Sequence, residues 1–114
     1  MITQQQVYDY LKEKGVEVLG TFDADKEIYT TKQGKEYEVI FLNKQLGSFV
    51  TNKDKLEIGT KNFSLEEVVG RFIHETVHVD FCLFGWEDEI EEKVFSLMEE
   101  FYPGIKLKNP RNEK

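Results

Sequence analysis

The stretch from Ser64 to Gly85, SLEEVVGRFIHETVHVDFCLFG, decides how the rest of the chain is read. Ser64 followed three residues later by Glu67 forms a capping box, in which Ser64 caps the helix and Glu67 reaches back to its backbone N–H. Beyond it Val68, Phe72, Ile73, Val77, Phe81 and Phe84 recur at the helical period, and Gly85 supplies a stop. The spacing predicts one long amphipathic helix that reaches almost to the glycine.

Downstream, Ile90, Val94, Leu97, Met98 and Phe101 form the stripe of a second helix, from about Glu87 to Tyr102, ended by Pro103-Gly104. Upstream, Val7, Tyr8 and Leu11 predict a short helix from Gln4 to Lys14 that stops at Gly15. Between lie strand signals: Val16 and Val18 running on to Phe22, then Glu27 to Thr31, then Glu36 to Leu42. Ala24-Asp25-Lys26 and Gln33-Gly34-Lys35 read as the turns, and Ser48 to Thr51 with Leu56 to Ile58 as a further hairpin around Asn52-Lys53-Asp54. The order is N-terminal helix, small antiparallel sheet, motif helix and C-terminal helix. This is an α+β fold. We expect one domain over 1–114, with helix and sheet in 1–63, a helical hairpin in 64–104 and a tail in 105–114.

The 114 residues suit one domain, and chains above roughly 70–80 residues can bury a core without staples. A formal charge of −7 argues against nucleic acid as a partner, because phosphate binding needs a basic patch. The locally basic end, Ile105-Lys106-Leu107-Lys108 with Arg111 and Lys114, reads as a solvated terminus. Cys82 is the single cysteine, so no internal disulfide forms. The polar N-terminus lacks a signal peptide's apolar stretch, and no apolar run reaches the roughly 18–20 residues that span a bilayer. A cytoplasmic protein is expected, with no membrane partner.

Chemistry enters with His74-Glu75-Thr76-Val77-His78. A helix advances about 100° per residue, so positions four apart lie nearly above one another. Both imidazoles can then reach one zinc ion at about 2.0–2.1 Å and leave the rest of a tetrahedron open. Glu75 is turned about 100° from His74, too far round to join the pair as a ligand. It can instead accept the proton of a metal-bound water as general base. The chain holds two histidines, and both lie in this motif.

A catalytic zinc takes three protein ligands and a water. The second helix begins with Glu87, Asp88, Glu89, Glu91 and Glu92, most of which serve as an acidic first turn that complements the helix dipole. Glu87 and Glu91 lie nearest the buried stripe, and periodicity alone does not separate them. Glu91 is preferred, because Val94 and Met98 follow three and seven positions on, and Glu87 comes second. Cys82, four residues after His78, continues the same helical row and offers a further third ligand; a small buried apolar role suits it better. Trp86 is expected in the core or over the turn between the helices.

From Phe72 to Phe101 the chain resembles the small zincin-like metallopeptidases of phages and prophages, minimal relatives of the gluzincins. It also resembles the longer immunity-repressor-cleaving peptidases of mobile elements. Phe72, Thr76, Val77 and Val79 match the extended pattern of zinc peptidase helices, while Arg71 and Asp80 depart from it. In that family the following helix carries a Val-Glu-x-x-Ala-like segment; Ile90-Glu91-Glu92-Lys93-Val94 fits it without a gap, which gives Glu91 the third-ligand role. The resemblance further implies a peptide or protein substrate paired to an edge strand, with Glu36 to Leu42 or Ser48 to Thr51 as candidates, and a tyrosine such as Tyr29 or Tyr37 as oxyanion donor.

The expected function is zinc-dependent hydrolysis of a peptide bond, with His74, His78 and Glu91 on the metal and Glu75 as base. The alternative is a non-catalytic, metal-stabilised structural or binding protein of a phage or mobile element. Its site would be closed by a fourth protein ligand such as Cys82 or Glu87. Imidazole and carboxylate donors also admit manganese or iron.

Overall fold

Thr3 opens the first helix: its hydroxyl accepts from the Gln6 amide at 3.2 Å, and Gln6 Oε1 accepts from the Thr3 amide at 2.8 Å. Helix α1 (Gln4–Glu13) buries Val7 and Leu11, and Gly15 follows at φ 69. The Gln4 side-chain amide donates to Val39 O at 2.8 Å and pins this helix to the sheet. The computed structural model describes residues 1–45, 48–50 (backbone), 54–105 and 107. It continues with β1 (Thr21–Asp23), β2 (Ile28–Thr30), β3 (Glu36–Leu42), β4 (Ser48–Val50), β5 (Lys55–Gly59), α2 (Leu65–Asp80) and α3 (Asp88–Phe101). The fold is α+β, with the N-terminal and C-terminal helices where the apolar periods put them.

Strand β1 is shorter than its apolar run suggests. The amides of Leu19 and Gly20 donate to the hydroxyls of Tyr102 and Tyr29, both at 2.9 Å, which takes them away from strand pairing. Gly20 is required there, because a Cβ would lie 2.0 Å from Thr30 O.

The sheet runs β1-β2-β3-β5-β4 and is mixed, not antiparallel throughout. β5 inserts between β3 and β4 and pairs with β3 in parallel, Val39 opposite Leu56 and Phe41 opposite Ile58. The expected β4–β5 pairing is present and antiparallel, with Val50 opposite Leu56; its turn residues 51–53 lie outside the described set. Leu56 and Ile58 are fully buried, so β5 takes an interior position, where both of its edges are paired.

Every residue of α2 from Phe72 to Asp80 is buried. A helix apolar on one face alone needs one neighbour; this one has the sheet, α1 and α3 around it. The Phe72 ring lies 4.6 Å from Phe22 and 6.0 Å, edge-on, from Tyr29. α3 contributes Val94 and Met98, fully or almost fully buried.

α2 stops about one turn sooner than expected. Phe81 is its C-cap, and Cys82 takes the left-handed position at φ 54, although glycine is the usual occupant. Leu83 N donates to His78 O at 2.8 Å and Cys82 N to Val79 O at 3.4 Å, the two bonds of a Schellman ending. Gly85, at φ 123, turns the chain toward α3 instead of ending α2. The left-handed conformation costs a non-glycine residue about 1–2 kcal/mol, which these bonds offset. Beyond α3, Ile105 is buried and Leu107 packs on the core, so the tail begins later than expected; the basic residues after it lie outside the described set. Among the described residues no helix is long and apolar enough to cross a membrane.

Asp80 fastens the end of α2 to the sheet. Its Oδ2 accepts from the Tyr29 hydroxyl at 2.5 Å, its Oδ1 from the Lys32 amide at 2.9 Å, and its carbonyl from Gln33 Nε2 at 2.6 Å. Burial, more than any neighbour, pushes its carboxyl above the ordinary value. A carboxylate in the last turn opposes the helix dipole by about 0.3–1 kcal/mol. Hydrogen bonds to a charged group are worth about 1.5–3 kcal/mol each, so the latch wins. Tyr29→Phe should therefore lower the unfolding free energy at pH 7 by about 1.5–3 kcal/mol. Urea titration of both proteins reads this directly, and a change under about half a kcal/mol would mean that Asp80 is held by the Lys32 amide alone.

Candidate metal centre

His74 and His78 stand one helical turn apart on α2, their rings edge-to-face with centroids 4.7 Å apart. The α2–α3 turn brings the start of α3 back across them. Val94 and Met98 anchor α3 in the core, which places Glu91 over both rings. Glu91 Oε2 lies 2.8 Å from His74 Nε2, and Oε1 lies 3.0 Å from His78 Nε2. The Phe95 ring, 5.2 Å from the His74 ring, walls the site.

The structure thus brings His74, His78 and Glu91 together, with one ligand atom from each within 4.8 Å of the others. Two imidazole nitrogens and a carboxylate oxygen are a donor set that could hold a divalent metal ion. The histidines are buried and Glu91 is 14% exposed, so solvent reaches the centre along the carboxylate.

Each imidazole is aimed by a partner on its outer nitrogen. His78 Nδ1 lies 2.6 Å from Leu83 O, and a carbonyl only accepts, so Nδ1 carries the proton and Nε2 is the nitrogen turned to the centre. His74 Nδ1 lies 2.6 Å from Glu75 Oε2. That contact is not legible in the motif, which assigns Glu75 to a water rather than to its neighbouring ring. Carboxylates and carbonyls in this position fix tautomer and orientation in metal sites.

Burial alone would lower the pKa of His74; hydrogen bonds to Glu75 and Glu91 outweigh it and raise the imidazole to about 9. Burial would raise Glu91, but the hydrogen bonds from His74 and His78 hold its carboxyl far below the usual range.

The other candidates fall outside the cluster. Glu87 is the N-cap residue of α3 without a side-chain cap bond, and its carboxylate lies against Gly85, where an added Cβ would meet Oε2 at 2.4 Å. Cys82 is exposed, because α2 ends before it and breaks the row that would have aligned it with His78. Trp86, expected in the core or over the turn, is 72% exposed. Tyr29 directs its hydroxyl to Asp80 and Gly20, so it is no oxyanion donor, and Tyr37 is buried on β3. Between the two candidate strands, β3 is flanked by β2 and β5, whereas β4 is a sheet edge and packs on α2. The departures from the peptidase pattern have local reasons: Asp80 holds the latch, and the Arg71 guanidinium stacks 4.2 Å over Phe63.

No family model, no curated protein and no solved structure matches this chain.

The pKa shifts set a pH window for protein freed of metal by chelation. His74, raised, contributes stability that is complete below its ordinary 6.5 and lost as pH rises through about 9. Glu91, lowered, contributes stability that is present above its ordinary 4.5 and lost as pH falls further. The chelated protein should melt at a lower temperature near pH 9.5 than near pH 6, and Glu91→Gln should flatten that difference. A native melting temperature that does not move between the two would show that His74 is not held as an imidazolium.

Proposed function

We propose that this chain is a zinc-dependent peptidase. The convergence of His74, His78 and Glu91 on one point carries this reading, since two imidazoles and one carboxylate are the donor set of many catalytic zinc sites. Zinc held there would lower the pKa of a coordinated water toward about 7 and polarise a carbonyl. Glu75 takes a proton from the attacking water and passes it to the leaving amine. To do so its carboxylate turns away from His74 Nδ1, where Oε2 now lies at 2.6 Å. The substrate is an extended peptide laid along β4, whose position at the edge of the sheet and against the helix that carries both histidines favours main-chain pairing. The closed, non-catalytic site is the weaker reading, because neither Cys82 nor Glu87 joins the cluster among the described residues.

Purified, untagged protein should contain zinc near one equivalent, and a His74→Ala/His78→Ala double variant none. Absence of metal from both, with thermal stability unmoved by added zinc, would end the metal reading. Glu75→Gln should keep the zinc and lose about 10²–10⁴-fold in turnover of a peptide library. Turnover that survives this change would remove Glu75 as the base; loss of zinc as well would assign it to orienting His74.

A further inference from the structure

We propose that Cys82 is a positioning residue for the metal centre, acting through its backbone and not its thiol. Three observations meet at this residue. It holds φ 54 without being glycine, which is uncommon away from places where the surrounding structure demands it. That conformation turns the chain so that Leu83 comes back over the end of α2. Leu83 then clasps His78 at two points: its amide donates to His78 O at 2.8 Å, and its carbonyl accepts from His78 Nδ1 at 2.6 Å. One left-handed residue thereby caps the helix and sets which nitrogen of His78 faces Glu91. Asp80, two residues earlier, fixes the other side of the same turn through Tyr29 and Lys32. The residue that the sequence offers as a spare ligand is thus the hinge that aims a ligand.

The exposed side chain makes the test clean, because substitution there alters the backbone preference without opening the core. Cys82→Gly accepts the left-handed conformation freely, and Cys82→Val resists it. Glu27, left-handed at φ 57 in the turn between β1 and β2, serves as the control through Glu27→Val.

Zinc affinity, read by competition with a chromophoric chelator, should fall about 10- to 100-fold in Cys82→Val and stay within about threefold of native in Cys82→Gly. Glu27→Val should lower the melting temperature and leave the affinity alone. The second readout is the His78 Nδ1–H proton resonance of the native, metal-stripped protein. It should be present and protected from solvent exchange in the native chain and in Cys82→Gly, and lost in Cys82→Val. Native-like affinity in Cys82→Val overturns the proposal, as does a native His78 that carries no protected Nδ1 proton. The affinity measurement rests on the metal reading, whereas the proton resonance does not, so the clasp is tested even in a chain that binds no zinc.

Discussion

Five polar side chains, His74, Glu75, Thr76, His78 and Asp80, share a stretch of α2 that is buried throughout. An unsatisfied polar group in such a place costs more than a hydrogen bond returns, so each needs a partner. Thr76 finds its own at Ile73 O, 2.7 Å away, within the helix. Glu75 meets the ring of its neighbour His74. The other three recruit from elsewhere: Asp80 takes Tyr29 from the sheet and Lys32 from the turn after it, His78 takes Leu83, and both histidines take Glu91 from α3. The placement of α3, the end of α2 and the seat of the β2–β3 turn all follow from supplying those partners. Polar satisfaction organises this fold as much as its apolar core does.

What was legible in the sequence follows the range of the interactions involved. The capping box at Ser64 and the helices α1 and α3 are local patterns, and they appear where the residues place them, with Val7, Leu11, Val94 and Met98 buried; Tyr8 and Phe101, counted in the same stripes, are exposed at their edges. The parallel pairing of β5 with β3 is not local. Its residues alternate as an antiparallel hairpin's would, and the hairpin does form; only the burial of Leu56 and Ile58 on an interior strand reveals where it docks. The end of α2 eluded the pattern because its left-handed residue is a cysteine while a glycine stands further on as a plausible stop. Trp86 shows the converse, since an aromatic residue beside a glycine turn carries no local mark of facing outward.

The site divides the same way. His74 and His78 are joined by the helical repeat itself, which four residues of spacing suffice to state. Glu91 and Glu87 both border the stripe of α3, and the difference between them is a matter of how α3 packs on α2, which periodicity does not encode. Asp80 stood out as a charged residue in an apolar register, and that mismatch was the one sequence signal of the Tyr29 latch. Nothing announced Leu83, because it acts through main-chain atoms. Glu75 was assigned by motif to a water; the contact with His74 arises from two adjacent side chains folding toward each other in a buried space.

The donors also come from one short run of chain, with two of them a single helical turn apart. Assembling them closes only a small loop, so little chain entropy is lost in gathering them, and even a disordered copy of this segment retains some capacity to chelate. By mass action, a ligand stabilises the folded state only to the extent that it prefers it over the unfolded one. Metal held at His74, His78 and Glu91 would therefore add less to fold stability than its affinity suggests.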